Sequence, residues 1–394
     1  MNKPPIFINN YTLCNALGST KAEILENLEN NRCLLQLETQ ISTDTTYVGK
    51  IPLSLPELPA EFSEYYCRNN QVVLWCLQQL ENDITKFIEK YGRDRIAVVM
   101  GTSTAGIDLG EQAIKSAHAD LSYHYRCQEL GSISGFVARY LGLNAPHFTI
   151  STACSSSARV FISAQRLLQS GLVDAVLVGG VDTLCHLTLN GFNSLASLSE
   201  QLTRPFADNR AGINIGEAGA MFLLSREESD IVLAGVGESS DAHHISAPEP
   251  NGAGAERAMR DALHNANLSI NEIGYLNLHG TATPLNDSME SLAVNRVFGQ
   301  IPCSSTKHLT GHTLGAAGAT ELAISCLLLE HYSTTTKPLL PRQTDENKQN
   351  YYDHNLPEIG VIFTPTYLEK PVIMSNSFAF GGNNSTLIIK KRGG

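Results

Sequence analysis

Short apolar runs that end in glycine or a small polar residue recur along the chain. Ile96-Ala97-Val98-Val99-Met100 leads into Gly101, His147-Phe148-Thr149-Ile150 into Ser151, and Ala175-Val176-Leu177-Val178 into Gly179-Gly180. Runs this short and this continuously apolar suit strands buried on both faces of an α/β sheet. Between the second and third, Val160, Phe161, Ala164, Leu167 and Leu168 repeat at helical spacing, and Gly171 closes the helix. The second half follows the same grammar. Ile231-Val232-Leu233-Ala234 and Tyr275-Leu276-Asn277-Leu278, the latter ending at His279, predict strands. The Ala- and Leu-rich stretch from about Gly315 to Tyr332 is apolar on most sides and predicts a buried helix. Val372-Ile373-Met374-Ser375 and Thr386-Leu387-Ile388-Ile389 flank a Gly-rich turn and predict a terminal hairpin. The pattern divides the chain into two α/β halves, residues 1–230 and 231–394, whose mutual identity is too low to define a repeat.

Composition narrows the class. Of 394 residues, 42% are hydrophobic and 17% charged, which supports a substantial core and argues against disorder. A formal net charge of −11 disfavours nucleic acid as a partner, because nothing neutralises phosphates wholesale. The nine cysteines, at positions 14, 33, 67, 76, 127, 154, 185, 303 and 326, are odd in number and form no C-x-x-C. They read as reduced cytoplasmic thiols, not as a disulfide framework or a metal site. Met1-Asn2-Lys3-Pro4-Pro5 lacks the apolar core of a signal peptide, and no run of 18 apolar residues predicts a membrane span.

Four segments carry candidate chemistry. In Thr149-Ile150-Ser151-Thr152-Ala153-Cys154-Ser155-Ser156-Ser157 a strand ends, a tight turn follows and a helix begins. A thiol at a helix N-terminus meets the positive end of the dipole and free N–H groups, which favour thiolate and can hold an oxyanion. The competing reading of any single cysteine is a small buried hydrophobe. His279-Gly280-Thr281-Ala282-Thr283-Pro284 places a histidine where a strand ends, the edge at which open α/β sheets bind ligands; a lone histidine is more often structural. In Lys307-His308-Leu309-Thr310-Gly311-His312, followed by a small-residue helix, His312 is expected inside, and Lys307, if buried, needs a carboxylate partner such as Glu321. An ordinary helix start with a solvated lysine is the alternative. Phe378-Ala379-Phe380-Gly381-Gly382 suggests a mobile loop over an apolar pocket, or simply a hairpin turn.

In this order the four segments resemble the motifs of the elongating β-ketoacyl-[acyl-carrier-protein] synthases of fatty-acid and polyketide assembly. Thr152 to Ser157 resembles the nucleophile motif, in the form polyketide ketosynthases favour. His279 to Pro284 and Lys307 to Gly318 resemble the two histidine motifs, and Asn376 to Asn384 the Gly-Phe-Gly-Gly loop. The resemblance implies a thiolase fold, a five-layered α-β-α-β-α sandwich of two related halves that works as a dimer. It implies Cys154 as acyl carrier, His279 and His312 as catalytic histidines, and support from Lys307, Glu321 and the backbone of Phe380. Thr281 and Thr283 would bind a phosphopantetheine arm, Phe378 would flank the pocket, and Thr104 would line an acyl channel. Partners implied are an acyl-carrier protein and either a second copy or a ketosynthase paralogue, a chain-length factor. No cofactor is implied beyond the phosphopantetheine the carrier brings, and no metal.

The chain departs from that pattern in places. Ala379 stands where relatives carry glycine, Gly101-Thr102-Ser103-Thr104-Ala105-Gly106 where they carry Gly-Ser-Gly-x-Gly, and Arg68 is followed by Asn69-Asn70 where they carry basic carrier-docking residues. These differences point to a specialised polyketide or polyene pathway, such as that of aryl polyenes. The rival reading, a non-catalytic chain-length-factor subunit, is disfavoured by the presence of Cys154, His279 and His312 together. A thiolase or cysteine acyl-hydrolase is disfavoured by the two histidine motifs.

Overall fold

The computed structural model describes residues 4–42, 44–116, 123–333, 335–343 and 351–393. Residues 1–3, on which part of the N-terminal reading falls, lie outside this set. The first half contributes strands β1 (Ile6–Cys14), β2 (Ile96–Gly101), β3 (His147–Ile150), β4 (Ala175–Asp182) and β5 (Ala218–Ser225). The second contributes β6 (Ile231–Ser240), β7 (Tyr275–Asn277), β8 (Cys303–Ser304), β9 (Val372–Phe378) and β10 (Asn383–Lys391). Their order in space is β8-β7-β9-β10-β6-β1-β5-β4-β2-β3. Each group of five therefore reads first, fifth, fourth, second, third. The pairing senses also match: the first strand pairs antiparallel to the fifth and the fifth to the fourth, and the outer pairs, fourth with second and second with third, are parallel. The two groups meet at β1 and β6 through three antiparallel residue pairs, Ile6 with Leu233, Phe7 with Val232 and Ile8 with Ile231. That seam was not legible in the apolar pattern. Strands β1 and β5 were not anticipated either.

Continuity of the apolar runs has a direct cause. Along β2, Ala97 and Val99 point into the central core and Val98 and Met100 into an outer one; along β4, Val176 and Val178 point inward and Leu177 and Val181 outward. Both sheet faces are covered, so neither alternate set can be polar. The outer core lies beneath helices α1 (Arg68–Tyr91) and α2 (Ser132–Leu141). Between the sheets lie α3 (Ser156–Gln169) and the predicted buried helix, α6 (Ala317–Glu330). Helices α4 (Ala253–Ala266) and α5 (Pro284–Phe298) cover the far face of the second sheet. The result is the five-layered sandwich of the thiolase fold. The central helices touch closely because small residues face each other. A Cβ on Gly318 would lie 2.6 Å from the Ala158 nitrogen, and the Ala319 N–H donates to Ser157 Oγ at 2.9 Å. No helix among the described residues is long and apolar enough to cross a membrane.

Candidate active site

Cys154 sits on the turn between β3 and α3. Ala153, immediately before it, has φ +49°, a conformation that costs an L-residue of order 1–3 kcal/mol and survives only when its surroundings enforce it. The serines of the motif do the enforcing. Ser156 Oγ accepts from Thr152 N–H at 2.9 Å and donates to the Ala153 carbonyl at 2.5 Å, while Ser155 Oγ donates to the Thr152 carbonyl at 2.9 Å. The third serine, Ser157, abuts Gly101 and Gly180, where an added Cβ would lie 2.6 Å and 2.5 Å from Ser157 atoms. The nucleophile helix is thus wedged against the ends of β2 and β4.

His279 follows β7. Two carboxylates on α5 hold its loop: Glu290 accepts from the N–H groups of His279 and Gly280, both at 2.8 Å, and Asp287 from those of Thr281 at 3.1 Å and Ala282 at 3.2 Å. Sequence reading missed both acids. Their signal was the i, i+3 spacing on a helix opened by Pro284, beside a histidine motif. Lys307 is fully buried. Its Nζ donates to the His279 carbonyl at 2.6 Å, lies 3.4 Å from His279 Nδ1 and pairs with Glu321 at 2.5 Å. An ammonium facing Nδ1 leaves that nitrogen as acceptor and puts the ring proton on Nε2.

The structure brings Cys154, His279 and His312 together, each at most 5% exposed. His312 Nε2 is 3.1 Å from Cys154 Sγ, and the two imidazoles stand at 84° with centroids 5.5 Å apart. One ligating atom from each of the three lies within 4.8 Å of the others. A sulfur and two imidazole nitrogens also form a donor set that a soft divalent metal accepts, once the thiol gives up its proton. All three residues line a pocket of about 290 Å³, together with Thr281, Thr283, Phe378 and Phe380. The Phe378 ring is 6.2 Å from that of His279, and the Phe380 ring lies 5.6 Å from that of Phe192.

Burial dominates the electrostatics. It drives both histidines well below the ordinary imidazole value, aided by the Lys307 charge, so both are neutral. Burial also pushes the Cys154 thiol up to about 11. Lys307 and the N–H groups of Phe380 and Cys154 oppose this without prevailing, and Asp182 adds to it. The N–H groups at the helix end favour thiolate, as expected, but desolvation outweighs them, and the resting group is a thiol. The Nδ1 atom of His312 is buried without a partner among the described residues. Nothing pins the ring proton there, so Nε2 can face the thiol bare or an oxyanion protonated.

Two further residues lie away from this pocket wall. Thr104 is absent from the pocket wall. It is 1% exposed, and its hydroxyl donates to Asp182 Oδ1 at 2.7 Å, because the turn after β2 folds back over that carboxylate. Arg68 makes a two-pronged ion pair with the buried Glu217, at 2.7 Å through each nitrogen.

Fold and site together define a cysteine acyltransferase of the condensing type. Residues 80–230 match the beta-ketoacyl synthase N-terminal domain and residues 231–337 the C-terminal domain. A 3-oxoacyl-[acyl-carrier-protein] synthase 2 of Synechocystis sp. (strain ATCC 27184 / PCC 6803 / Kazusa) is 32% identical over 341 residues, covering 80% of this chain and 79% of that one. The enzyme of the same description from Staphylococcus aureus (strain COL) is 29% identical over 350 residues, 82% of each. Among solved structures, the ketosynthase (ApeO) in complex with its chain length factor (ApeC) from Xenorhabdus doucetiae contains a chain 47% identical to this one, with a TM-score of 0.94 over 98% of each. The chain belongs to the beta-ketoacyl synthase family.

Proposed function

We propose that this chain elongates an acyl group held on Cys154 by decarboxylative condensation with a malonyl group, both delivered on acyl-carrier protein. The contact of His312 Nε2 with Cys154 Sγ carries the assignment, because it pairs an acid too weak to ionise by itself with a neutral base. In the first half-reaction His312 takes the thiol proton as sulfur attacks the carrier thioester. The oxyanion is received by the N–H groups of Cys154 and Phe380, the two that already face the sulfur. Collapse expels the phosphopantetheine thiol, which leaves with the proton from His312. In the second, the malonyl C–CO₂ bond breaks, and the enolate oxygen is held by the Nε2–H groups of His279 and His312. The enolate carbon attacks the Cys154 thioester. Cys154 leaves and recovers a proton from solvent, and a β-ketoacyl-carrier protein two carbons longer departs.

Thr281 and Thr283, whose hydroxyls lie 2.9 Å apart at the pocket wall, suit the phosphopantetheine arm. Phe378 and Phe380 suit its thioester end. In this reading the arm is the only cofactor and comes with its carrier. The catalytic division follows the halves: residues 1–230 supply the nucleophile and 231–394 the histidines. Similarity to a ketosynthase–chain length factor pair supports a heterodimeric, specialised polyketide or polyene system over primary fatty-acid synthesis. Cysteines without disulfide bonds support a cytoplasmic setting. Intact mass spectrometry with acyl- and malonyl-carrier proteins tests the reading. One acyl adduct on Cys154 followed by a carrier product extended by two carbons is expected; failure of the wild type to load or to extend would refute it.

A further inference from the structure

The fully buried Asp182, at the end of β4, has no part in the steps above, yet six hydrogen bonds converge on its carboxylate. Oδ1 accepts from Thr102 Oγ1 at 2.7 Å, Ser103 N at 2.9 Å, Thr104 N at 2.8 Å and Thr104 Oγ1 at 2.7 Å. Oδ2 accepts from Ser103 Oγ at 3.0 Å and Ala316 N at 3.0 Å. Burial pushes its carboxyl above the ordinary carboxylate value, and the donors on every side oppose that rise. Five of the bonds go to the turn after β2 alone, and that turn could be capped by a hydroxyl or a carbonyl at far lower desolvation cost. The bond to Ala316 N reaches a different segment, the 3-10 turn Leu314–Ala316, two residues beyond His312. Ser103 Oγ makes a second tie to it by accepting from Gly315 N at 3.1 Å. A Cβ on Gly315 would stand 2.7 Å from Asp182 Oδ2, so the glycine is what lets the turn come this close. Leu314 has φ +53°, a strained conformation that needs an outside restraint.

We propose that Asp182 is a positioning residue: it clamps the Leu314–Ala316 turn against the 102–104 turn and so fixes where His312 stands relative to Cys154. The inference rests on the roles proposed for His312 and Cys154. Asp182 touches no substrate. Its loss displaces the histidine without removing any group that binds the carrier, and misplacement of a catalytic group by about 1 Å costs up to roughly 100-fold in rate. The carboxylate also adds one negative charge to the groups facing the thiol, which are otherwise His279, His312 and Lys307.

Asp182→Asn keeps the shape, removes the charge and turns an NH₂ toward two donors. The expected result is a kcat for condensation roughly 10–100-fold lower with KM for malonyl-carrier protein unchanged. The pH profile for alkylation of Cys154 by iodoacetamide should also move to lower pH. A merely structural carboxylate would leave that profile in place. Ser103→Ala, at a half-buried position, removes one of the two ties and covers the case in which Asp182→Asn does not fold; a several-fold loss in kcat at constant KM is expected. Wild-type kcat in Ser103→Ala, or a folded Asp182→Asn with wild-type kcat or an unmoved alkylation profile, overturns the proposal. A wild type that neither loads nor extends acyl groups would instead overturn the functional reading on which it rests.

Discussion

His312 Nε2 lies within 3.1 Å of Cys154 Sγ, while His279 approaches the same sulfur without displacing that contact. The two histidines are therefore unequal. His279→Ala should load Cys154 at close to the wild-type rate and lose condensation by about 10²–10³-fold, the typical cost of one oxyanion donor. His312→Ala should lose condensation and also load slowly, because the proton acceptor is gone. Stopped reactions read by intact mass separate the two steps; equal loading rates in the two variants would contradict the division of roles.

Cys154 should be the sole acylated thiol. Cys76, Cys185 and Cys326 are buried, with their thiols pushed up mainly by desolvation in Cys185 and Cys326 and by the neighbouring Cys14 in Cys76, and none lines the active-site pocket. Cys154→Ala should show no acyl adduct after incubation with acyl-carrier protein. An adduct mapped to any other cysteine peptide would refute the assignment.

The pH dependence follows from the directions of the shifts. A thiol raised to about 11 is protonated at neutral pH and ionises only as pH climbs, so alkylation of the free enzyme by iodoacetamide should keep accelerating above pH 9. Lys307 is the largest influence lowering that value, so Lys307→Met should move the curve further to alkaline pH. A plateau reached below pH 8 would mean a thiolate–imidazolium pair in place of thiol and neutral ring.

The Lys307–Glu321 pair is buried on both sides, and removing one partner strands a charge. Lys307→Met or Glu321→Leu should each cost about 3–5 kcal/mol, and the double variant should recover much of that, since an apolar pair of similar volume replaces the ions. Denaturant midpoints in a double-mutant cycle measure this. Additive losses would mean that the pair is not coupled.

Thr104→Phe should act on stability and not on product length. The side chain has no room beside Asp182, and overpacking typically costs about 1–3 kcal/mol in addition to the lost hydrogen bond. The melting temperature should fall while the distribution of product lengths stays that of the wild type. Shorter products at an unchanged melting temperature would place Thr104 on the acyl path.

The sequence made the reacting groups legible because each is announced by contiguous neighbours. Cys154 comes with the serines that lock its turn, His279 with its glycine and threonines, and His312 with the small-residue helix that follows. Buried strands showed themselves wherever both faces are covered, as in β2 and β4. The acids behind the site stayed hidden. Asp287 and Glu290 hold backbone N–H groups, which leave no mark in side-chain identity, and the backbone and hydroxyl partners of Asp182 come from segments some 80 and 134 positions away. The resting protonation state of Cys154 stayed hidden for a related reason. A helix start can be read locally, whereas the desolvation that outweighs it is a property of the packed whole.

The nucleophile belongs to one half of the chain and both histidines to the other, with α3 and α6 meeting at the centre. A partly folded molecule whose first half alone is formed would carry Cys154 on its turn with no base within reach. Chemical competence is then acquired only when the halves dock. A chain with only its first half formed would therefore load far more slowly than the folded one, because the proton acceptor is not yet within reach of the sulfur.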